Sequence, residues 1–129
     1  MLGLIRETML GERLAQLAER RPKHTYAWGV RQVISSPAAG TTSELKLTVP
    51  ATGAIIAVTV FPSDADDGDW VSCYHGSRAL LERQRVYRQT SVEWEGREEV
   101  RAGDGLTVIY FNQGTTSKKV DWSFQVEYS

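Results

Sequence analysis

One cysteine in 129 residues, Cys73, leaves the chain without an intramolecular disulfide framework and without a cysteine-rich zinc site. Histidine is nearly as scarce: His24 and His75 stand far apart, with no His-x-x-x-His pair to start a zinc centre. No apolar run approaches the ~20 residues of a membrane span. The longest, Gly53–Val60, already contains Thr59. Residues Met1–Glu7 carry charges and no long apolar core, so a secretory signal is not spelled there, and the chain is expected to work where it is made or to leave by lysis or a non-classical route. An excess of positive charge is also missing. Charged residues make up 24% of the chain and the formal net charge is −1, which removes the electrostatic case for nucleic acid. Walker-type and Gly-x-Gly-x-x-Gly loops are absent, as is a Gly-x-Ser-x-Gly elbow, so neither phosphate cradling nor a serine hydrolase has its usual nucleus.

What is present is β texture. The length suits one domain with a two-layer core. Along Val120–Tyr128, Trp122, Phe124, Val126 and Tyr128 alternate with Asp121, Ser123, Gln125 and Glu127, the period of a sheet with one dry face. The predicted strands are Ala27–Ser35, Glu44–Val49, Ala54–Phe61, Trp70–His75, Arg85–Trp94, Leu106–Phe111 and Val120–Tyr128, with Gly, Pro, Ser, Thr, Asn and Asp crowding the gaps. The last two read as a closing β-hairpin, and Glu95-Gly96 reads as a turn. Ser77–Arg88 reads either as a short helix capped by Ser77 or as strand. The fold class is therefore mainly β, an antiparallel sandwich over residues 25–129.

Ahead of it, residues 2–21 are rich in leucine, glutamate and arginine, free of proline, and stop before Pro22, which predicts a helical arm over residues 1–24. On a helical wheel Leu2, Ile5 and Met9 form one apolar group and Leu10, Leu14 and Leu17 another, roughly a quarter turn away. The arm packs on its own sandwich or docks on another subunit. In the second case Leu4, Ile5, Met9, Leu10, Leu14 and Leu17 are the interface residues. Arginine outnumbers lysine eleven to four, which suits packed polar interfaces and also a GC-rich coding bias.

Chemistry-bearing clusters are few. Asp64, Asp66, Asp67 and Asp69 surround Gly68 and offer oxygen ligands of the kind Ca²⁺ takes, although an acidic surface turn uses the same residues and the spacing is not that of a full calcium loop. Cys73 and His75, two apart on a strand, share a face and could form a thiol–imidazole pair, whereas a cysteine in Trp-Val-Ser-Cys-Tyr is ordinarily a small buried hydrophobe. Glu93, Glu95, Glu98 and Glu99 could pair as carboxylates for glycoside chemistry, but interleaved with Arg97 and Arg101 they read as a solvated hairpin tip. Of the tryptophans, Trp122 is expected in the core. Trp28 and Trp70 are the candidates for recognising a sugar ring or a protein partner. No cofactor is expected.

Two segments carry a resemblance. Val49–Phe61 (Val-Pro-Ala-Thr-Gly-Ala-Ile-Ile-Ala-Val-Thr-Val-Phe) and Val100–Tyr110 (Val-Arg-Ala-Gly-Asp-Gly-Leu-Thr-Val-Ile-Tyr), followed by the alternating strand, resemble the small jelly-roll domains of tailed-bacteriophage virion proteins, of head-decoration or tail-accessory type. The turn they share, Ala-Gly-Asp-x-Leu-x-Val, occurs in many β-sandwiches. Physically it places Gly103 and Gly105 at positive φ, with Asp104 hydrogen-bonding the local backbone. The resemblance implies a non-enzymatic virion subunit, assembled in the host cytoplasm, that binds a capsid or tail lattice. Its partners would be itself, as a homo-oligomer such as a trimer, and other virion proteins, with no membrane and no nucleic acid. The rival expectation is a carbohydrate-binding module or fibre-tip adhesin that takes a glycan on exposed Trp and Tyr.

Overall fold

A computed structural model describes residues 24–35, 37–88 and 90–128. They form eight strands: β1 (His24–Ile34), β2 (Thr41–Thr48), β3 (Gly53–Pro62), β4 (Trp70–His75), β5 (Arg78–Arg85), β6 (Val92–Val100), β7 (Gly105–Asn112) and β8 (Lys118–Tyr128). No helix occurs among the described residues. The predicted arm, with Leu4, Ile5, Met9, Leu10, Leu14 and Leu17, lies outside them.

The strands make two antiparallel four-stranded sheets, ordered β1-β8-β3-β6 and β2-β7-β4-β5. Pairing is nested: β1 with β8, β2 with β7, β3 with β6 and β4 with β5. A chain doubled back at one turn and then rolled produces that order, the wrapping of a double-sheet jelly roll. The doubling point is the tight turn at Gly76-Ser77, where Gly76 takes φ 60°. Period-2 patterning decides which face goes in. Val120, Trp122, Phe124 and Val126 from β8 are buried against Leu106, Val108 and Tyr110 from β7 and Val71 and Cys73 from β4. In β3 the register shifts between Ile55 and Ala57, and this bulge lets Ile55 and Val58, three apart, both face the core. β3 also enters so close to β8 that a Cβ on Gly53 would lie 2.2 Å from the Glu127 carbonyl oxygen, so only glycine fits.

Four expectations are corrected. The last two strands are not a hairpin: β7 and β8 belong to opposite sheets, and the polar loop between them crosses from one to the other. Arg85–Trp94 is not one strand. β5 ends at Arg85, the chain turns through a Tyr87–Thr90 bridge, and β6 starts in the other sheet at Val92. Glu95-Gly96 is strand interior, since Glu95 pairs with Ala57 across β3. Gly105 is the first residue of β7, paired with Thr48 in the β2–β7 ladder, and only Gly103 of the two glycines needs positive φ (92°). The rest of that turn is as expected: Asp104 accepts the Arg101 backbone N–H at 2.9 Å. The ambiguous Ser77–Arg88 segment is a turn and then strand β5.

Candidate functional site

Both ends of the sandwich carry a buried or half-buried polar cluster, and each cluster ties one sheet to the other. At the end formed by the β3–β4 and β7–β8 loops, the ammonium of Lys118 is fully enclosed. It donates to Asp66 Oδ2 at 2.9 Å and Asn112 Oδ1 at 3.0 Å, and lies 3.3 Å from Asp69 Oδ2. Asp69 has no exposed surface and also accepts from the Tyr110 hydroxyl (2.6 Å) and the backbone N–H groups of Gln113 (2.7 Å) and Asp66 (2.9 Å). Burial, followed by the neighbouring Asp69 carboxylate, drives the Tyr110 phenol far above its ordinary range. Four aspartates thus divide into two roles. Asp66 and Asp69 hold Lys118, which puts an ammonium where the calcium expectation would put a metal ion. Asp64 and Asp67 point to solvent, Asp67 at 4.0 Å from Arg85. Among the described residues no group of three or more His, Cys, Asp or Glu is placed to hold a metal ion.

At the opposite end His75, the last residue of β4, is held through both ring nitrogens. Nδ1 lies 2.8 Å from Glu98 Oε2 on β6, and Nε2 lies 2.9 Å from Asp104 Oδ2 in the β6–β7 turn. Glu98 is itself buried and meets Arg78 of β5 at 3.2 Å. The Glu98 hydrogen bond, and to a lesser degree that of Asp104, raises the His75 pKa despite partial burial. Asp104 is pushed down by the Arg101 N–H and by His75. An open groove of about 680 Å³ lies beside the cluster, lined by Thr52, Arg97, Arg101, Glu99 and Glu127 among others. Arg97 crosses it to reach Glu99 and Glu127, each at 2.8 Å.

These placements answer the chemical expectations. With both imidazole nitrogens engaged by carboxylates, none is left to activate Cys73, which is fully buried with its thiol pushed up to about 12 by desolvation. Of the four glutamates only Glu98 turns inward. Glu93, Glu95 and Glu99 face solvent along β6 and are not at a hairpin tip. Trp122 is in the core as expected, and its indole N–H donates to Gln32 Oε1 at 3.1 Å. Trp28 faces inward at the sandwich edge, 5.0 Å from Phe124. Trp70 lies half-buried on the outer face of the β2-β7-β4-β5 sheet. Phe111 of β7 stacks on it at 5.2 Å and an interplanar angle of 7°, and the Arg83 guanidinium of β5 stands 5.7 Å from its ring centre. A ring flanked by both neighbouring strands is a poor open platform for a pyranose.

The exposed apolar surface is elsewhere, in residues the sequence did not single out. Val33, Phe61 and Tyr87 are 61%, 52% and 54% exposed. Shallow crevices link them around the Lys118 end: Phe61 shares one with Arg88 and Lys119, Val33 another with Asp64 and Lys119, and Tyr87 a third with Arg88 and Asp67. Lys118 was also missed, and Glu98 was expected in solvent and is buried, although strand phase announces both. Lys118 is in step with Val120 and Trp122, and Glu98 with Val100 and Val92.

No protein-family model matches the chain, and no curated protein matches it. Among solved structures it is similar to the infectious bursal disease virus VP2 subviral particle, with a TM-score of 0.43, 9% identity and coverage of 81% of this chain. A second neighbour is the Gx strain of infectious bursal disease virus, at a TM-score of 0.42 and 9% identity. The chain spans 32% of the length of each of those proteins.

Proposed function

We propose that this protein is a non-enzymatic structural subunit of a virion, of the tailed-bacteriophage kind its sequence resembles, which stabilises or decorates a capsid or tail lattice by self-association and through its N-terminal segment. One observation carries the reading: the groups with chemical potential are spent inside the fold, while large apolar side chains stand outside it. Cys73 is sealed in the core, His75 is saturated by two carboxylates, and Asp66 and Asp69 neutralise Lys118. Val33, Phe61 and Tyr87 instead face solvent at one end, among charges of both signs, which suits a contact with protein better than one with a polyanion. Two sheets tied by polar clusters at both ends make a rigid block, as a lattice subunit requires.

Light scattering on the full chain, and on a chain beginning at Thr25, tests this. A trimer or larger assembly that falls to monomer on removal of the segment is the expected result. A full chain that stays monomeric at high concentration would overturn the self-association on which the reading depends.

A further inference from the structure

A sandwich of two open sheets has four edges, and a free edge is a row of unpaired N–H and C=O groups that another strand can complete. Among the described residues the edges are β1 and β6 in one sheet and β2 and β5 in the other. Three of them are guarded. β6 carries Glu93, Glu95, Arg97, Glu98 and Glu99, and its ladder with β3 slips between Ile55 and Ala57. β5 carries Arg78, Glu82, Arg83 and Arg85, slips twice against β4, and turns Arg83 to φ 47°. β2 sets Glu44 and Lys46 at mid-strand, and its Ser43 carbonyl already accepts from Gln32 Nε2 at 3.0 Å. β1 has none of these devices. All 11 of its residues pair with β8 in one unbroken register, and its one residue of fixed charge, Arg31, is tied to Asp121 of β8 at 2.8 Å. Burial does not separate the edges, since Trp94 of β6 is partly buried just as Trp28 of β1 is. Charge and regularity do.

Gly29, the midpoint of β1, adds a second observation. Glycine inside a strand weakens it and commonly marks a bulge or the close approach of another group. Gly29 has no bulge, no positive φ, and nothing within 4 Å of where a Cβ would stand. Nothing in the described fold asks for glycine there.

We infer that the free edge of β1 pairs with β1 of a second copy, antiparallel about a two-fold axis at Gly29, joining two four-stranded sheets into one of eight. Self-complementarity argues for this occupant. An axis at the midpoint engages all 11 residues at once, and a two-fold perpendicular to the sheet keeps like faces together. Arg31 then stands opposite Ala27 of the other copy, so the two arginines do not confront each other, and Trp28 stands opposite Val30. The two Gly29 residues face each other with Cα atoms about 4.5–5.5 Å apart. Glycine at that joint lets the combined sheet coil, as a twisted sheet of such width must. The pairing supplies a contact through which the proposed subunit self-associates, and it rests on that reading for its purpose alone.

Mild oxidation of the full-length Gly29→Cys chain reads the register. Residues at the axis lie within disulfide reach, about 4.4–6.8 Å between Cα atoms, so a covalent dimer should form readily. Ala27→Cys should not link, because each copy of residue 27 faces residue 31, and neither should the wild type, whose Cys73 is sealed in the core. In sedimentation, Ala27→Lys should weaken dimerisation several-fold by facing Arg31 across the joint, and Ala27→Glu should tighten it. Residues 27 and 29 are exposed, so these variants leave the core untouched. No link at Gly29→Cys, the result if another strand holds that edge, would overturn the pairing. So would a link as fast at Ala27→Cys, or lysine and glutamate acting alike. Larger assemblies that form without the Gly29→Cys link would sink the pairing and leave the virion reading in place. A linked dimer that assembles no further would keep the pairing and count against that reading.

Discussion

The two ends of the sandwich solve the same problem with different cations. At one, Lys118 lies between Asp66 and Asp69; at the other, His75 lies between Glu98 and Asp104. In each case a positive group bound by two carboxylates joins strands from both sheets. The side chains of Lys118 and Asp69 have no solvent exposure, whereas those of His75 and Asp104 retain 20% and 34%. The partners of a sealed ammonium cannot be removed cheaply, because a buried charge would be left unpaired. An imidazole at the rim can lose its proton near neutral pH, so its joint is conditional. One end is locked and the other is a latch.

The comparison breaks first at the sealed end. Lys118→Met removes the cation and leaves Asp69 charged in the interior, so destabilisation of about 3–5 kcal/mol is expected. Urea denaturation at pH 7 measures it. A loss no greater than that of a surface substitution would mean that water or a proton replaces the ammonium freely, and the lock would be no lock.

At the latch, Glu98→Gln keeps the shape and puts a neutral amide in place of the carboxylate whose hydrogen bond does most to raise the His75 pKa. The expected loss is about 2 kcal/mol at pH 6, the worth of a hydrogen bond to a charged group, and it should shrink as pH rises and His75 of the wild type deprotonates. An identical loss at pH 6 and pH 9 would show that Glu98 acts through packing alone.

Returning to the sealed end, Tyr110→Phe tests how far the lock depends on its neutral members. The hydroxyl donates to Asp69 at 2.6 Å, but that carboxylate keeps Lys118 and two backbone N–H groups. A loss of about 1 kcal/mol is expected in the same urea assay, well below that of Lys118→Met.

The contrast between the ends was half visible in the sequence. Trp70–His75 is a strand with the predicted bounds, and the alternation of β8 correctly sends Trp122, Phe124 and Val126 inward, because a period of two needs no knowledge of partners. Carried two residues back, the same phase places Lys118 inside. A lysine beside a second lysine at the edge of a polar loop nevertheless reads as surface, and only the fold brings Asp66 and Asp69 to meet it. The supposed closing hairpin failed for the same reason: a short polar loop looks alike whether it returns within a sheet or crosses between two. Glu98 was hidden among three exposed glutamates, and its strand was broken on paper at Glu95-Gly96. In the fold Gly96 lies within strand β6, where a Cβ would meet the edge of the Trp94 ring at 2.7 Å, and the chain does not turn there.

Asp104→Asn sharpens the latch with the smallest change, since Asp104 is the more solvated of the two carboxylates. Asparagine still accepts the Arg101 N–H, so the turn survives while one charge facing His75 is lost. His75 has a folded pKa raised above its ordinary 6.5, so its stabilisation is complete below that value and is lost as pH rises through the folded pKa. Asp104 has a folded pKa lowered below 3.8, so its stabilisation is present above that value and is lost as pH falls through the lower folded one. The wild-type latch is therefore closed between the lowered Asp104 value and the raised His75 value. Asp104→Asn should weaken the acid-side loss and move the neutral-side loss to lower pH. That second shift should be smaller than the one caused by Glu98→Gln, because Glu98 contributes the larger effect on His75. NMR titration of the His75 ring in the wild type and both variants orders the two effects directly. A larger downward shift in Asp104→Asn than in Glu98→Gln would make the solvated turn, and not the buried strand, the seat of the latch.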